Sequence, residues 1–156
     1  MSNSVTPSPF GEFGQEHHWR VIRAKIQSVR HDYLRQIMQK KCTQTEDTDF
    51  GRLLHVILSH TSVSVADLRK EFDLSRNAAL RLYLKDCIEG HSLQSFITYH
   101  RIELSKRLLL ETQADITTVA LSVGYETLEA FLMRFKSKTQ MTPRAFREKH
   151  GMRDSV

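Results

Sequence analysis

The 156-residue sequence predicts an all-α fold, and three observations carry that prediction. Apolar residues return at three- and four-residue intervals along most of the chain, and no segment keeps the two-residue alternation of a half-buried strand. Ser64, Ser75, Ser92, Asp115, Thr127 and Thr142 each stand just before such a segment, where a side-chain oxygen can accept a backbone N–H that the first helical turn leaves over. A pair of helical segments also occurs twice. The length suits one ordinary domain with an appendage.

Residues 1–14, "MSNSVTPSPFGEFG", mix Pro, Gly, Ser and Thr with little apolar surface to bury, and are expected to form a loose tail. From about Gln15 to Lys41, Trp19, Ile22, Ile26, Val29, Tyr33 and Ile37 recur at helical spacing among charged residues, which predicts one amphipathic helix. That helix either closes over the first of the paired motifs or pairs with a second copy, its apolar positions approaching a heptad over a short span. "CTQTEDTD" then breaks the pattern, so residues 1–49 are read as tail, helix and polar linker.

From Phe50 the helical segments follow one another closely: "FGRLLHVILSH", "SVADLRKEF", "SRNAALRLYLKDCIE", "SLQSFITYHRIELSKRLLLET", "ITTVALSV", "TLEAFLMRFKSK" and "PRAFREKH". Pro143, directly after Thr142, suits a first helical position, where its missing N–H has no partner to lose. Sliding Val65–Lys85 onto Ile116–Lys136 superposes Val65 on Ile116, Leu68 on Val119, Phe72 on Val123, Leu74 on Tyr125, Leu80 on Phe131, Leu84 on Phe135 and Lys85 on Lys136. In the second copy Val119, Ala120 and Val123 share a face, Gly124 follows, and Ala130, Phe131 and Phe135 face back. Small residues at a close approach and a glycine for a left-handed turn suit a helix-turn-helix, although a generic αα-hairpin would show the same pattern.

The stretch "ITTVALSVGYETLEAFLMRFKSKTQMTPRAFR" resembles the AraC/XylS family of bacterial transcription regulators through Ile116, Val119, Ala120, Gly124, Tyr125, Thr127, Phe131, Phe135, Lys136, Thr142, Pro143, Phe146 and Arg147. "GHSLQSFITYHRIELSKRLL" is similar to that family's connecting helix through Gly90, Ser92, Ile97, Arg101, Ile102, Ser105 and Leu109. The resemblance implies a seven-helix DNA-binding domain over residues 50–150. Its first helix-turn-helix would lie at about 65–88, its long linker helix at about 92–112 and its second motif at about 116–139. Two recognition helices would then enter successive major grooves, roughly 34 Å apart. The first motif departs from the pattern: Arg69 replaces the usual alanine, Asp73 takes the place of the turn glycine, and the stretch before Gly90 is long. Its register stays open, with Leu80 and Leu84 facing the core by the internal repeat, or Arg81 and Tyr83 fitting the family pattern. In the second motif Met133 stands where the family often has arginine.

This leads to an expected division of labour. Base contacts are assigned to Arg76, Asn77 (to adenine) and Arg81 (to guanine) in the first motif, and to Leu128 and Met133 (to thymine methyls) and Glu129 (to cytosine) in the second. Phosphate contacts are assigned to Lys85, Arg134, Lys136, Lys138, Arg144 and Arg147. Each has a plainer alternative: Arg76 and Asn77 as capping or solvated residues, Leu128, Leu132 and Met133 as packing residues, and the basic tail as a solvated face. A rival reading of the whole is a degenerate regulator whose apolar second recognition helix binds another protein.

Lys and Arg total 23 against 18 Asp and Glu, a net +5 that suits a polyanion. Residues 92–156 hold ten basic and seven acidic side chains, so the excess leans toward the second motif. No apolar run reaches the roughly 18–20 residues that span a bilayer, and the N-terminus lacks the pattern of a secretory signal. A membrane partner is not expected, and localisation is read as cytoplasmic in a bacterium, at the nucleoid when bound. Cys42 and Cys87 are too few for a disulfide framework, and the histidines, such as adjacent His17 and His18, lack metal-ligand spacing, so no metal or cofactor is expected. No phosphate loop or nucleophile motif points to catalysis. The resemblance implies promoter DNA and RNA polymerase as partners and activation as the outcome. A protein coregulator or self-association through residues 15–41 stays open, and a small-molecule effector is not expected, since residues 1–49 do not suffice for a ligand-holding barrel.

Overall fold

The computed structural model describes residues 12–41, 52–53, 55–57, 65–73 and 93–151. Those residues form helices α1 (Glu12–Lys41), α2 (Val65–Glu71), α3 (Leu93–Glu111), α4 (Ile116–Ser122), α5 (Leu128–Thr139) and α6 (Pro143–His150), with residues 52–53 and 55–57 also helical. No strand occurs among the described residues, and the fold is all-α. The stretch expected to be the first recognition helix, and the candidate caps Ser64, Ser75 and Ser92, lie outside them.

The central element is α3, which packs against α1, α4, α5 and α6. Leu93, Phe96, Ile97, His100, Leu104 and Leu108 are buried, as are Thr98, Ile102, Ser105 and Leu109 on a neighbouring flank. Neighbours on several sides explain why its sequence shows no single narrow apolar stripe. The buried polar groups are satisfied: Ser105 Oγ donates to the Ile102 oxygen at 2.6 Å and Thr98 Oγ1 to the Gln94 oxygen at 2.9 Å.

α1 begins three residues before the expected Gln15. Its Ile22, Ile26, Val29 and Tyr33, spaced four, three and four apart, are buried as predicted, and Ile37 is partly buried against the same core. Trp19 corrects the expectation: it is 43% exposed, because residues 16–21 are exposed throughout and the helix outruns its support there. The support is α3. Tyr33 Oη and His100 Nδ1 share a buried 2.9 Å hydrogen bond, and Arg107 Nη1 donates to Gln36 Oε1 at 3.3 Å. Arg30 Nη2 donates to the backbone oxygen of Ser122 at 2.5 Å, placing a cation at the C-terminal end of α4, where the helix dipole favours it. Among the described residues, α1 therefore packs on the connecting helix and reaches the end of α4 in the second motif.

The described halves of the internal repeat match. Leu68 and Val119 are fully buried, and Phe72 and Val123 are buried in the same cluster. Asp73 has φ 44° and Gly124 has φ 100°, so the two aligned turn positions both adopt left-handed backbone. Aspartate tolerates that region better than most L-residues, which lets it stand in for the glycine.

Candidate nucleic-acid interface

The second motif is built from its caps inward. Asp115 Oδ1 accepts from Thr118 N at 2.6 Å to start α4, and Thr127 Oγ1 accepts from Ala130 N at 3.2 Å to start α5. Between them Gly124 turns the chain. Its φ favours glycine, and a Cβ there would come within 2.8 Å of Arg101 Nε. Tyr125 N then donates to the Ala120 oxygen at 3.1 Å, closing the turn against α4.

α5 is held from behind by aromatic contacts. Phe131 and Phe135 are fully buried, their rings 5.5 Å apart; Tyr125 lies 5.4 Å from Phe131, and Phe146 of α6 lies 5.5 Å from Phe135. Such ring contacts fix the helix rotation as well as burying area. With that side inward, the opposite side presents Glu129, Leu132, Met133 and Lys136 to solvent. Met133 is 68% exposed and Leu132 36%, the former midway between Glu129 and Lys136 on one stripe. Exposed Arg134 and Lys138 flank it, and Gln140 ends the helix with φ 63°.

The structure therefore brings Glu129 and Met133 together on an outward face of α5, with Arg134, Lys136 and Lys138 exposed on the same helix and Arg144 exposed on α6. Arg144 is paired with Glu148 at 3.1 Å, an exposed pair one helical turn apart. Two readings need correction. Leu128 is partly buried against the core rather than presented outward, because it shares the inward side with Phe131 and Phe135. Arg147 is turned into the body: Nε donates to the Leu109 oxygen at 2.8 Å and Nη2 to the Ala114 oxygen at 2.6 Å. Its guanidinium thus holds α6 to the end of α3, where carbonyls lack intrahelical partners. Arg76, Asn77, Arg81 and Lys85 lie outside the described residues.

Two residues that shape this site were not assigned a role from the sequence. Arg101 belongs to the resemblance pattern but carries no composition signal of its own, and Arg30 is one of several cations on a charged helix. Burial lowers the pKa of both guanidiniums from the usual arginine value, with the Tyr125 hydroxyl opposing the shift at Arg101. No group of three or more His, Cys, Asp or Glu side chains suited to a metal occurs among the described residues. No described helix is long and apolar enough to cross a membrane.

A family model described as a helix-turn-helix domain matches residues 68–149, more than half of the chain. The chain belongs to the AraC/XylS family of helix-turn-helix proteins. Its relatives include YobQ of Bacillus subtilis, an uncharacterized HTH-type transcriptional regulator, 36% identical over 58 residues, 37% of this chain and 24% of that protein. The bifunctional transcriptional activator/DNA repair enzyme AdaA of the same organism is 32% identical over 68 residues, 44% of this chain and 32% of AdaA. The chain thus matches about a quarter to a third of the length of these curated relatives. Among solved structures, the C-terminal domain of the two-component response regulator YesN from Fusobacterium nucleatum aligns with TM-score 0.52 and 25% identity, over 65% of this chain and 99% of that one. The C-terminal domain of AraT, a response regulator from Geobacillus stearothermophilus, aligns with TM-score 0.53 over 97% and 93% of the two chains, at 17% identity, a likeness of fold.

Proposed function

We propose that this chain is a sequence-specific DNA-binding transcription regulator, acting beside promoters in the bacterial cytoplasm and at the nucleoid when bound, with activation through contact with RNA polymerase as its outcome. The observation that carries the reading is the pose of α5: capped, turned by Gly124, pinned from behind by Phe131 and Phe135, and presenting Glu129, Leu132 and Met133 on its free side. A helix of that build suits the major groove, and its apolar centre suits thymine methyl groups, with Glu129 available to accept from cytosine. Exposed Arg134, Lys136 and Lys138 of the same helix, and Arg144 of α6, are assigned as phosphate contacts. Arg76, Asn77 and Arg81 of the first motif are assigned to base contact, and Lys85 to phosphate, on their sequence positions alone. Arg147 and Leu128 are left out of the contact set because they serve the fold. Self-association through α1 is not part of the reading, since its apolar stripe is covered by α3. Repair chemistry such as that named for AdaA is not carried over, because the match spans only 32% of that protein.

Selection of bound duplexes from a random library, followed by affinity measurements on single-base variants, tests the proposal. Met133→Ala should relax preference at one thymine position by roughly 5- to 150-fold, corresponding to about 1–3 kcal/mol of discrimination, while leaving preferences elsewhere intact. If Met133→Ala weakens every duplex equally, or if binding persists unchanged from about 50 to 200 mM salt, the DNA reading of α5 fails and a protein-binding role for the Leu132 and Met133 surface takes its place.

A further inference from the structure

Arg101 reaches from α3 to the turn of the second motif and to the helical residues 55–57 that precede the first. Its Nε donates to the backbone oxygen of Ile57 at 3.3 Å, and its guanidinium carbon lies 5.8 Å from the centre of the Tyr125 ring. The same Nε sits against Gly124, where a Cβ would approach it to 2.8 Å. Gly124 and Tyr125 form the turn that aims α5. On the other side, Ile57 is fully buried in one cluster with Leu68 and Phe72 of the first motif, and the guanidinium carbon of Arg52, five residues earlier, lies 5.7 Å from the Phe72 ring centre. Phe72 immediately precedes the left-handed turn residue Asp73 of the first motif. Arg101 therefore ties the turn of the second motif to a helical segment whose Ile57 is buried in one cluster with Leu68 and Phe72 of the first.

We propose that Arg101 is a positioning residue that fixes how the two motifs are set relative to each other, and thereby the separation between half-sites that the chain accepts on DNA. This rests on the DNA-binding reading above. Inserting one base pair between half-sites moves the second by about 3.4 Å along the axis and also rotates it around the duplex. Only a rigid link between motifs rejects such a change. A planar guanidinium lying on the glycine and the tyrosine ring while donating to Ile57 makes that link stiff. Lysine keeps the charge but has neither the plane nor the fork.

The test uses the full chain and a duplex library with a random core, comparing wild type with Arg101→Lys, Arg101→Met and Tyr125→Leu. The readout is the distribution of separations between the two enriched motifs. The wild-type pool should concentrate on one separation, with neighbours one base pair away depleted about tenfold or more. The variants should enrich the same two motifs with neighbouring separations within roughly twofold of each other. Should Arg101→Met fail to fold by circular dichroism, Arg101→Lys and Tyr125→Leu carry the comparison. Variant pools that keep the single wild-type separation overturn the proposal and leave Arg101 a stability residue. A wild type that enriches only one motif overturns it too, while leaving DNA binding intact; a wild type that enriches no motif removes the DNA reading itself.

Discussion

Asp73 and Gly124 occupy the same place in two copies of one unit, yet they differ in what each would gain from substitution. At Gly124 both the φ of 100° and the nearness of Arg101 oppose any side chain. Gly124→Ala should therefore lower unfolding stability by about 1–3 kcal/mol, read by urea denaturation. Asp73 has a smaller positive φ, 44°, in a region that aspartate tolerates, so Asp73→Gly exchanges mild left-handed strain for greater unfolded-state entropy. Its effect should stay within about 1 kcal/mol of zero. Equal losses at both sites would mean that the Asp73 carboxylate contributes something the turn geometry does not require. The turn itself was legible in the sequence, since the internal repeat sets Asp73 opposite Gly124. The duty of Arg147 was not: an arginine near the end of a basic helix looks the same whether it faces phosphate or caps the carbonyls of Leu109 and Ala114, and only three-dimensional proximity separates the two.

At the level of elements, α1 shows how far periodicity reads and where it stops. The spacing of Ile22, Ile26, Val29 and Tyr33 marks the buried stripe, but a stripe names no partner; α3 carries apolar residues on several flanks and offered no matching signal. What joins the two helices includes a polar contact, Tyr33 Oη with His100 Nδ1. Burial is the largest cause pushing the Tyr33 hydroxyl well above the ordinary tyrosine range, followed by the negative charge of Glu103. The folded pKa is raised above the unfolded one, so this group's contribution is fully present below the unfolded value, about 10, and is lost as pH climbs beyond it. Tyr125 is raised in the same direction by burial and loses stability in the same window. Stability measured by urea unfolding should thus be insensitive to these two groups between about pH 7 and 9 and fall above about pH 10. Tyr33→Phe should cost about 1 kcal/mol at neutral pH through the lost hydrogen bond, and should make the alkaline decline shallower. An alkaline decline unchanged by Tyr33→Phe would place its origin elsewhere.

For the whole molecule, the net charge of +5 is legible at once, but which cations face a polyanion depends on the packed structure. Lys136 and Lys138 are exposed beside the outward face of α5, whereas Arg147 is bonded within the body. The two classes predict different signatures. Each phosphate contact releases counterions, so log affinity should fall with log salt concentration with a slope of about 0.9 per contact. On a duplex selected by the wild type, Lys136→Gln and Lys138→Gln should each make that slope shallower by about that amount, weaken binding to all sequences alike, and leave the melting temperature nearly unchanged. Arg147→Gln should leave the slope as it is, because its guanidinium neutralises no phosphate, and should lower stability by about 1.5–3 kcal/mol per lost charge-assisted bond, with two bonds at stake and incomplete additivity. The comparison works because affinity at a single salt concentration falls for either kind of substitution, whereas the slope counts only charges that meet the DNA. A shallower slope for Arg147→Gln would mean that its side chain leaves Leu109 and Ala114 on binding; an unchanged slope for both lysines would move the phosphate contacts off the second motif.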